Sequence, residues 1–149
     1  MLFRSVDAIA RHRVTHTFLV PTVVQSLLLV PGVEHADLSS LQLLMYGAAP
    51  MGDVLLRRAM GMLHCRFIQA YGMTETSGTV AALLPEDHEL EGPRAHLLNS
   101  VGRAYPWVAL RVVDPNSLKD APVGEVGELW IRSRMVMKAS AARRTSVAP

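Results

Sequence analysis

The sequence predicts an α/β fold: part of a parallel sheet flanked by helices, followed by a small antiparallel β segment. Three observations lead there. Across the first hundred residues, short apolar runs that read as strands alternate with segments of helical period. The connections between them are short, as expected where helices serve as the crossovers of a parallel sheet. Beyond residue 100 the helical period gives way to β-rich runs bounded by Pro, Gly, Asn and Asp.

Val6, Ile9, Ala10 and Val14 recur at helical spacing, which predicts an amphipathic first helix. Thr17-Phe18-Leu19-Val20 reads as a short buried strand ended by Pro21. Proline suits the first turn of a helix, where the missing N–H has no partner to lose. Val23, Val24, Leu27 and Leu28 would form that helix's inner face, and Pro31-Gly32 closes it. Leu41 to Tyr46 is a second buried strand. A helix from about Met51 to Leu63 then offers Val54, Leu55, Ala59 and Met62 to a core, with Pro50 in the strand-to-helix turn. Arg66 to Ala70 is a third strand. The acidic stretch Pro85 to Pro93 reads as a solvated linker or surface loop. Ala109 to Val113 and Gly127 to Ile131, joined through Asp114-Pro115-Asn116 and Pro122-Val123-Gly124, fit an antiparallel pair.

The chain of 149 residues suits one domain, and half of its residues are hydrophobic, enough for a sizeable core. Fifteen Lys and Arg against thirteen Asp and Glu leave a net charge of +2, which is no electrostatic footprint for nucleic acid. The most apolar stretch, Phe18 to Val33, is interrupted by Pro21, Thr22, Gln25, Ser26 and Pro31, so no transmembrane segment is expected. Cys65 is the single cysteine, so no intrachain disulfide can form; a small buried hydrophobe in a reducing, cytoplasmic setting is the expectation. The histidines show no metal spacing.

The most informative stretch is Gln69-Ala70-Tyr71-Gly72-Met73-Thr74-Glu75-Thr76-Ser77-Gly78. It places an aromatic ring, a pliable glycine, a run of hydroxyls and one carboxylate directly after an apolar run. Hydroxyls can bond phosphate oxygens, but a neighbouring carboxylate would repel them unless it holds a hard cation such as Mg²⁺. The same residues also suit a polar turn bent at Gly72 and Gly78. Both this stretch and the turn at Gly47 follow predicted strands, and ligand crevices in open α/β sheets lie at the strands' carboxyl ends.

The stretch resembles the Tyr-Gly-x-Thr-Glu signature of the adenylate-forming superfamily, which holds acyl-CoA synthetases, luciferases and peptide-synthetase adenylation domains. Three further segments resemble that superfamily in the same order. Leu44-Met45-Tyr46-Gly47-Ala48-Ala49-Pro50-Met51 is like its Gly-Ala-x-Pro turn. Ser100-Val101-Gly102-Arg103-Ala104-Tyr105-Pro106 is like its Ser-Val-Gly-Arg-Pro-x-Pro element, and Pro122-Val123-Gly124-Glu125-Val126-Gly127-Glu128-Leu129-Trp130-Ile131-Arg132 is like its Gly-Glu-Leu-x-Ile-x strand. His16 to Thr22 and Val136-Met137-Lys138 look most like the fatty-acyl-CoA ligase branch.

The resemblance implies ATP, Mg²⁺ and coenzyme A as reactants or cofactors and a carboxylic acid, fatty acid favoured, as substrate. It gives Thr74 and Glu75 catalytic roles, with Thr74 on the α-phosphate and Glu75 as the metal ligand. Gly47, Ala48, Ala49, Gln69, Ala70, Tyr71, Gly72 and Met73 would join Thr74 in an AMP/ATP pocket. Arg103 reads as a structural ion-pair partner, and Glu125 and Glu128 as residues of a structural strand and not a catalytic pair. His16, though near an acyl pocket by resemblance, reads as a partly buried structural histidine.

The resemblance implies residues 1–98 as a partial nucleotide-binding subdomain and 99–138 as a partial β-barrel subdomain. Residues 139–149 lack an apolar period and read as a frayed tail. The superfamily's phosphate loop, ribose-binding Asp and C-terminal catalytic Lys have no counterpart in the 149 residues, which cover about a quarter of a typical member. The expectation is therefore a fragment, inactive alone, that at most holds adenylate weakly and self-associates through exposed sheet edges.

Overall fold

The computed structural model describes residues 3–138, which contain three α-helices, four short 3-10 helices and seven strands. Helix α1 spans Phe3–His12, β1 His16–Leu19, α2 Pro21–Leu27, β2 Leu43–Gly47, α3 Asp53–Leu63 and β3 Arg66–Met73. Strands β4 (Gly78–Leu83), β5 (Arg103–Ala104), β6 (Ala109–Val113) and β7 (Glu128–Arg132) follow. One sheet has the order β1-β2-β3-β4-β5; the other pairs β6 with β7. The predicted tail lies outside the described residues.

Strands β1, β2 and β3 are parallel, with His16 opposite Leu43 and Leu43 opposite Arg66. Helices α2 and α3 lie in their crossovers, as a parallel pairing demands. β4 follows β3 after four residues, far too few for a crossover, so it returns antiparallel and the sheet is mixed. The predicted antiparallel pair forms with Val113 opposite Glu128 and Ala109 opposite Arg132.

The chain divides into two compact units. One runs up to Tyr71 and includes Ala82–Gly102; the other joins Gly72–Ala81 to the residues from Arg103 onward. The first holds the main core. Val6 and Ile9 of α1, Val24 and Leu27 of α2, Leu44 and Tyr46 of β2, Leu56, Ala59 and Leu63 of α3, Phe67 and Leu83 form one buried cluster. Each fully buried aliphatic side chain of this kind contributes about 1.5–3 kcal/mol. In the second unit Val80, Ala81, Val108 and Val113 are buried.

Pro21 sits at the start of α2 as its missing N–H predicts. Several expectations need correction. β1 is exposed or half-buried along its length, with Phe18 52% exposed, because it is the outermost strand of its sheet and has one neighbour. His16 is likewise exposed, and its ring Nδ1 lies 2.9 Å from the adjacent Thr15 hydroxyl. α3 starts at Asp53 and not near Met51, since Gly52 is extended (φ −64°, ψ 148°). Its inner face is Leu56, Ala59 and Leu63, spaced three and four apart, while Val54 is 83% exposed in the first turn.

Pro85 to Pro93 is no simple solvated loop. Asp87 and His88 are buried, and the Tyr46 hydroxyl lies 3.0 Å from His88 Nε2. Arg94 reaches back to the Asp87 carboxylate at 3.3 Å and the Glu86 carbonyl at 2.8 Å. Four acidic residues in nine positions suggested solvent, but pairing with Arg94 and the Tyr46–His88 bond make burial of two polar side chains affordable there.

Candidate functional site

The residues singled out by the sequence fall at the carboxyl end of β2, along the end of β3, and in the turn after it. They form two groups, one in each compact unit.

In the first unit, Gly47 is paired with Ala70 across the parallel ladder. A Cβ on Gly47 would stand 2.2 Å from the Ala70 carbonyl oxygen, so only glycine allows this approach. Ala48 follows with φ 64°, a left-handed conformation that L-residues with a Cβ rarely adopt. Ala48, Ala49 and Pro50 are all exposed. β3 is longer than expected. It continues past the end of β2 through Tyr71 to Met73, so the Tyr-Gly-Met part of the signature is strand and not loop. Gln69 and Tyr71 are half-buried; Ala70 is buried.

In the second unit, Gly72 lies so close to the returning strand that a Cβ would meet the Gly78 carbonyl oxygen at 2.1 Å. Met73 is exposed. The chain then turns through one 3-10 turn, Thr74–Thr76, and Ser77 leaves it with φ 53°. The hydroxyls of this turn are not equivalent. Thr76 is 2% exposed, accepts from the Met73 N–H at 3.0 Å, and lies 2.8 Å and 2.7 Å from the Met73 and Gly78 carbonyl oxygens. It is consumed in closing the turn. Sequence reasoning grouped it with the other hydroxyls, and residue type carries no signal that sets it apart; the bonding over three residues does.

The Thr74 hydroxyl and Glu75 carboxylate, by contrast, make no hydrogen bond or ion pair among the described residues. Thr74 is exposed and Glu75 half-buried. The Glu75 carbonyl accepts from the Met137 N–H at 2.8 Å, a contact that fixes the turn without touching the carboxylate. An unpaired carboxylate oxygen is a suitable ligand for Mg²⁺. No group of three or more His, Cys, Asp or Glu that could hold a metal occurs among the described residues. A single unpaired carboxylate can supply one oxygen ligand to a hard cation and does not by itself make a complete protein site.

The remaining candidates lie in turns and in the shorter strands. Gly102 has φ 79°, and a Cβ there would stand 1.9 Å from the Ala82 carbonyl oxygen, which explains the glycine of that motif by backbone geometry alone. Arg103 opens β5. Glu125 lies outside β7, so its relation to Glu128 is not set by strand alternation: its N–H bonds the Pro122 carbonyl in a turn. Glu128 accepts from Trp130 Nε1 at 3.1 Å. Cys65 is half-buried, and burial pushes its thiol up to about 11, which leaves it a poor nucleophile.

Comparison with known proteins gives a consistent result. The model of the AMP-binding enzyme family matches residues 2–139. The chain is 34% identical over 135 residues to a fatty acid–[acyl-carrier-protein] ligase, ScoC, of Streptomyces coeruleorubidus, covering 89% of this chain and 25% of that protein. It is 38% identical over 133 residues to a 4-coumarate–CoA ligase-like protein of Oryza sativa subsp. japonica, covering 88% of this chain and 21% of that one. Among solved structures, the amide bond synthetase McbA of Marinactinospora thermotolerans superposes with a TM-score of 0.80 at 37% identity, over 93% of this chain and 27% of that one. The chain thus spans about a quarter of the length of these relatives.

Proposed function

The chain belongs to the AMP-binding enzyme family, and from that premise we propose that it is part of an ATP-dependent acyl-CoA synthetase. In this reading a carboxylate oxygen attacks the α-phosphorus of ATP. The bond from that phosphorus to the bridging oxygen of the β,γ-diphosphate breaks, and acyl-AMP and pyrophosphate form. The coenzyme A thiol, losing its proton, then displaces AMP to give the thioester. Charge builds on the transferring phosphate, so fixed donors and cations contribute most.

The observation that carries this reading is the adjacency of two unpartnered groups, the Thr74 hydroxyl and the Glu75 carboxylate, on a turn that Thr76 holds closed. Thr74 donates to an α-phosphate oxygen. Glu75 would hold Mg²⁺, which would supply neutralisation of the phosphate charge. The backbone of Gly72, Met73 and Tyr71 supplies a wall for the adenylate. The family resemblance proposes Gly47, Ala48, Ala49, Gln69 and Ala70 as further adenylate contacts, and the small side chains of Gly47, Ala48 and Ala49 would leave backbone groups accessible.

The acid is the finer part of the proposal. ScoC carries a fatty acid in its name and the rice protein resembles coumarate ligases, so the relatives support activation of a carboxylic acid in general. The preference for a fatty acid rests on ScoC and on the His16 to Thr22 and Val136 to Lys138 segments. The acceptor is open in the same way, because the relatives use an acyl-carrier protein or form an amide as well as a CoA ester. No helix among the described residues is long and apolar enough to cross a membrane, and we place the protein in the cytoplasm. The 149 residues on their own are proposed to bind adenylate weakly and not to turn over.

The test is a thermal-shift titration of the chain with a non-hydrolysable acyl-adenylate analogue and Mg²⁺, beside Thr74→Ala and Glu75→Ala. A dose-dependent rise that both substitutions weaken is expected. A rise equal in all three proteins, or none in any, would remove Thr74 and Glu75 from the binding site.

A further inference from the structure

The second compact unit places arginines near each of its two tryptophans, in settings that differ in one respect. Around Trp130 the pairing is closed. Arg111 lies 5.8 Å from the indole centroid and its guanidinium bonds Asp120 at 2.7 Å, while the Trp130 N–H bonds Glu128. Around Trp107 it is open. Trp107, Pro106, Val108, Ala109, Arg132 and Arg134 line a groove of about 480 Å³. Both arginines are exposed, and neither guanidinium makes a hydrogen bond or ion pair among the described residues.

Trp107 is exposed and yet held. Its ring stacks on Tyr105, centroids 4.9 Å apart and planes 7° from parallel. The Val108 N–H bonds the Tyr105 carbonyl at 2.9 Å, closing a tight turn with Pro106 and Trp107 at its tip. The Tyr105 N–H in turn bonds the Val80 carbonyl at 3.0 Å. With one face against Tyr105 and 59% of the residue exposed, the indole keeps its second face for a ligand. Arg132 is reached across the ladder from Ala109, its pairing partner and two residues on from Trp107.

A rigid aromatic platform stacks flat rings of any kind, and a base stacked this way contributes about 1–3 kcal/mol. Unpaired guanidiniums bind phosphate through charge-assisted, often bidentate bonds. The groove is within the size range of small-ligand sites. We propose that the groove beside Trp107 binds a nucleoside phosphate, the base on the indole and the phosphate on Arg132 and Arg134. A nucleic-acid strand fits less well, since the groove offers one platform and the chain's net charge is only +2. This position is distinct in sequence from the Thr74–Glu75 turn and does not depend on the role given to that turn.

Indole fluorescence reads the proposal directly. The chain is titrated with ADP without Mg²⁺, with adenosine and inorganic phosphate as the separate halves and a single-stranded oligonucleotide as the polymer arm. Saturable quenching by ADP is expected, with each half about tenfold weaker or more. Trp107→Ala removes the quenching. Arg134→Ala, an exposed turn position, weakens ADP by about fivefold or more while leaving the thermal midpoint unchanged. Thr74→Ala and Glu75→Ala leave the response as it was, which separates this groove from the signature turn. Calorimetry with Trp107→Phe, which keeps a flat ring, retains part of the affinity. Absence of saturable quenching up to millimolar ADP overturns the proposal, as does full binding in Arg134→Ala. Binding of the oligonucleotide more tightly than ADP would replace the mononucleotide with a strand and overturn the stated class.

Discussion

The Tyr46 hydroxyl donates to His88 Nε2 across 3.0 Å, joining the end of β2 to a residue 42 positions later. The direction follows from the other ring nitrogen. His88 Nδ1 lies 2.8 Å from the Leu84 carbonyl, which can only accept, so Nδ1 carries the proton and Nε2 is the acceptor. Both side chains are buried, and the Tyr46, Phe67 and His88 rings meet edge-on or tilted within 5.7–6.4 Å. This bond ties the acidic stretch to the strand that ends at the Gly47 turn.

Tyr46→Phe keeps the ring contacts and removes the donor, leaving Nε2 buried without a partner. A loss of about 1–3 kcal/mol is expected. Urea unfolding checks it, with the midpoint lowered and the slope unchanged.

Acid acts through the same pair. Burial holds His88 below its ordinary value of 6.5, against the opposing pull of the Leu84 carbonyl and the Asp87 charge. The unfolded chain then binds the proton more readily than the native one, so stability is full above pH 6.5 and falls as pH drops below it. Thermal unfolding at pH 7.5 and pH 5.5 should show the loss, and His88→Gln should flatten it. An equal loss in the variant would assign the effect to other groups.

Two glycines should respond oppositely to alanine. Gly72→Ala drives a Cβ into the Gly78 carbonyl and should cost about 3 kcal/mol. Gly61 lies exposed inside α3 with nothing within 4 Å of its Cβ position, so Gly61→Ala should stabilise by about 0.5–1 kcal/mol. Denaturation midpoints of the two variants, measured side by side, decide it.

The Cys65 thiol should be slow. With its proton held up to about 11 by burial, little thiolate forms at pH 8 in the native protein. Labelling by an aromatic disulfide reagent should be many-fold faster in denaturant than in buffer, and equal rates would contradict the burial.

Much of the first sheet was legible because its signals are local. Pro21 marks the start of α2, the apolar runs mark β2 and the first part of β3, and turn residues frame β6 and β7. What stayed hidden depends on partners distant in sequence. β4 is built from Gly78, Thr79, Val80, Ala81, Ala82 and Leu83, too small and mixed to announce a strand until paired. Composition assigned Asp87 and His88 to solvent, although Arg94 and Tyr46 bury them. The helical period of α3 allowed more than one inner stripe, and packing chose Leu56 over Val54. In the candidate site, residue type could not separate Thr74 from Thr76; only the latter's three hydrogen-bonding partners do.

Ala48 has a consequence for which sequences this turn tolerates. With φ at 64°, it occupies a conformation that costs an L-residue with a Cβ about 1–2 kcal/mol relative to its right-handed counterpart. Glycine, and to a lesser extent asparagine, would hold that conformation with less strain. A library randomised at this position and sorted for folding alone should therefore drift away from alanine, towards glycine first, and exclude valine and isoleucine. Sorted instead for adenylate retention, it should keep the small methyl. The difference between the two enriched alphabets would read out, residue by residue, how far this corner of the chain is shaped by its ligand and how far by its own backbone.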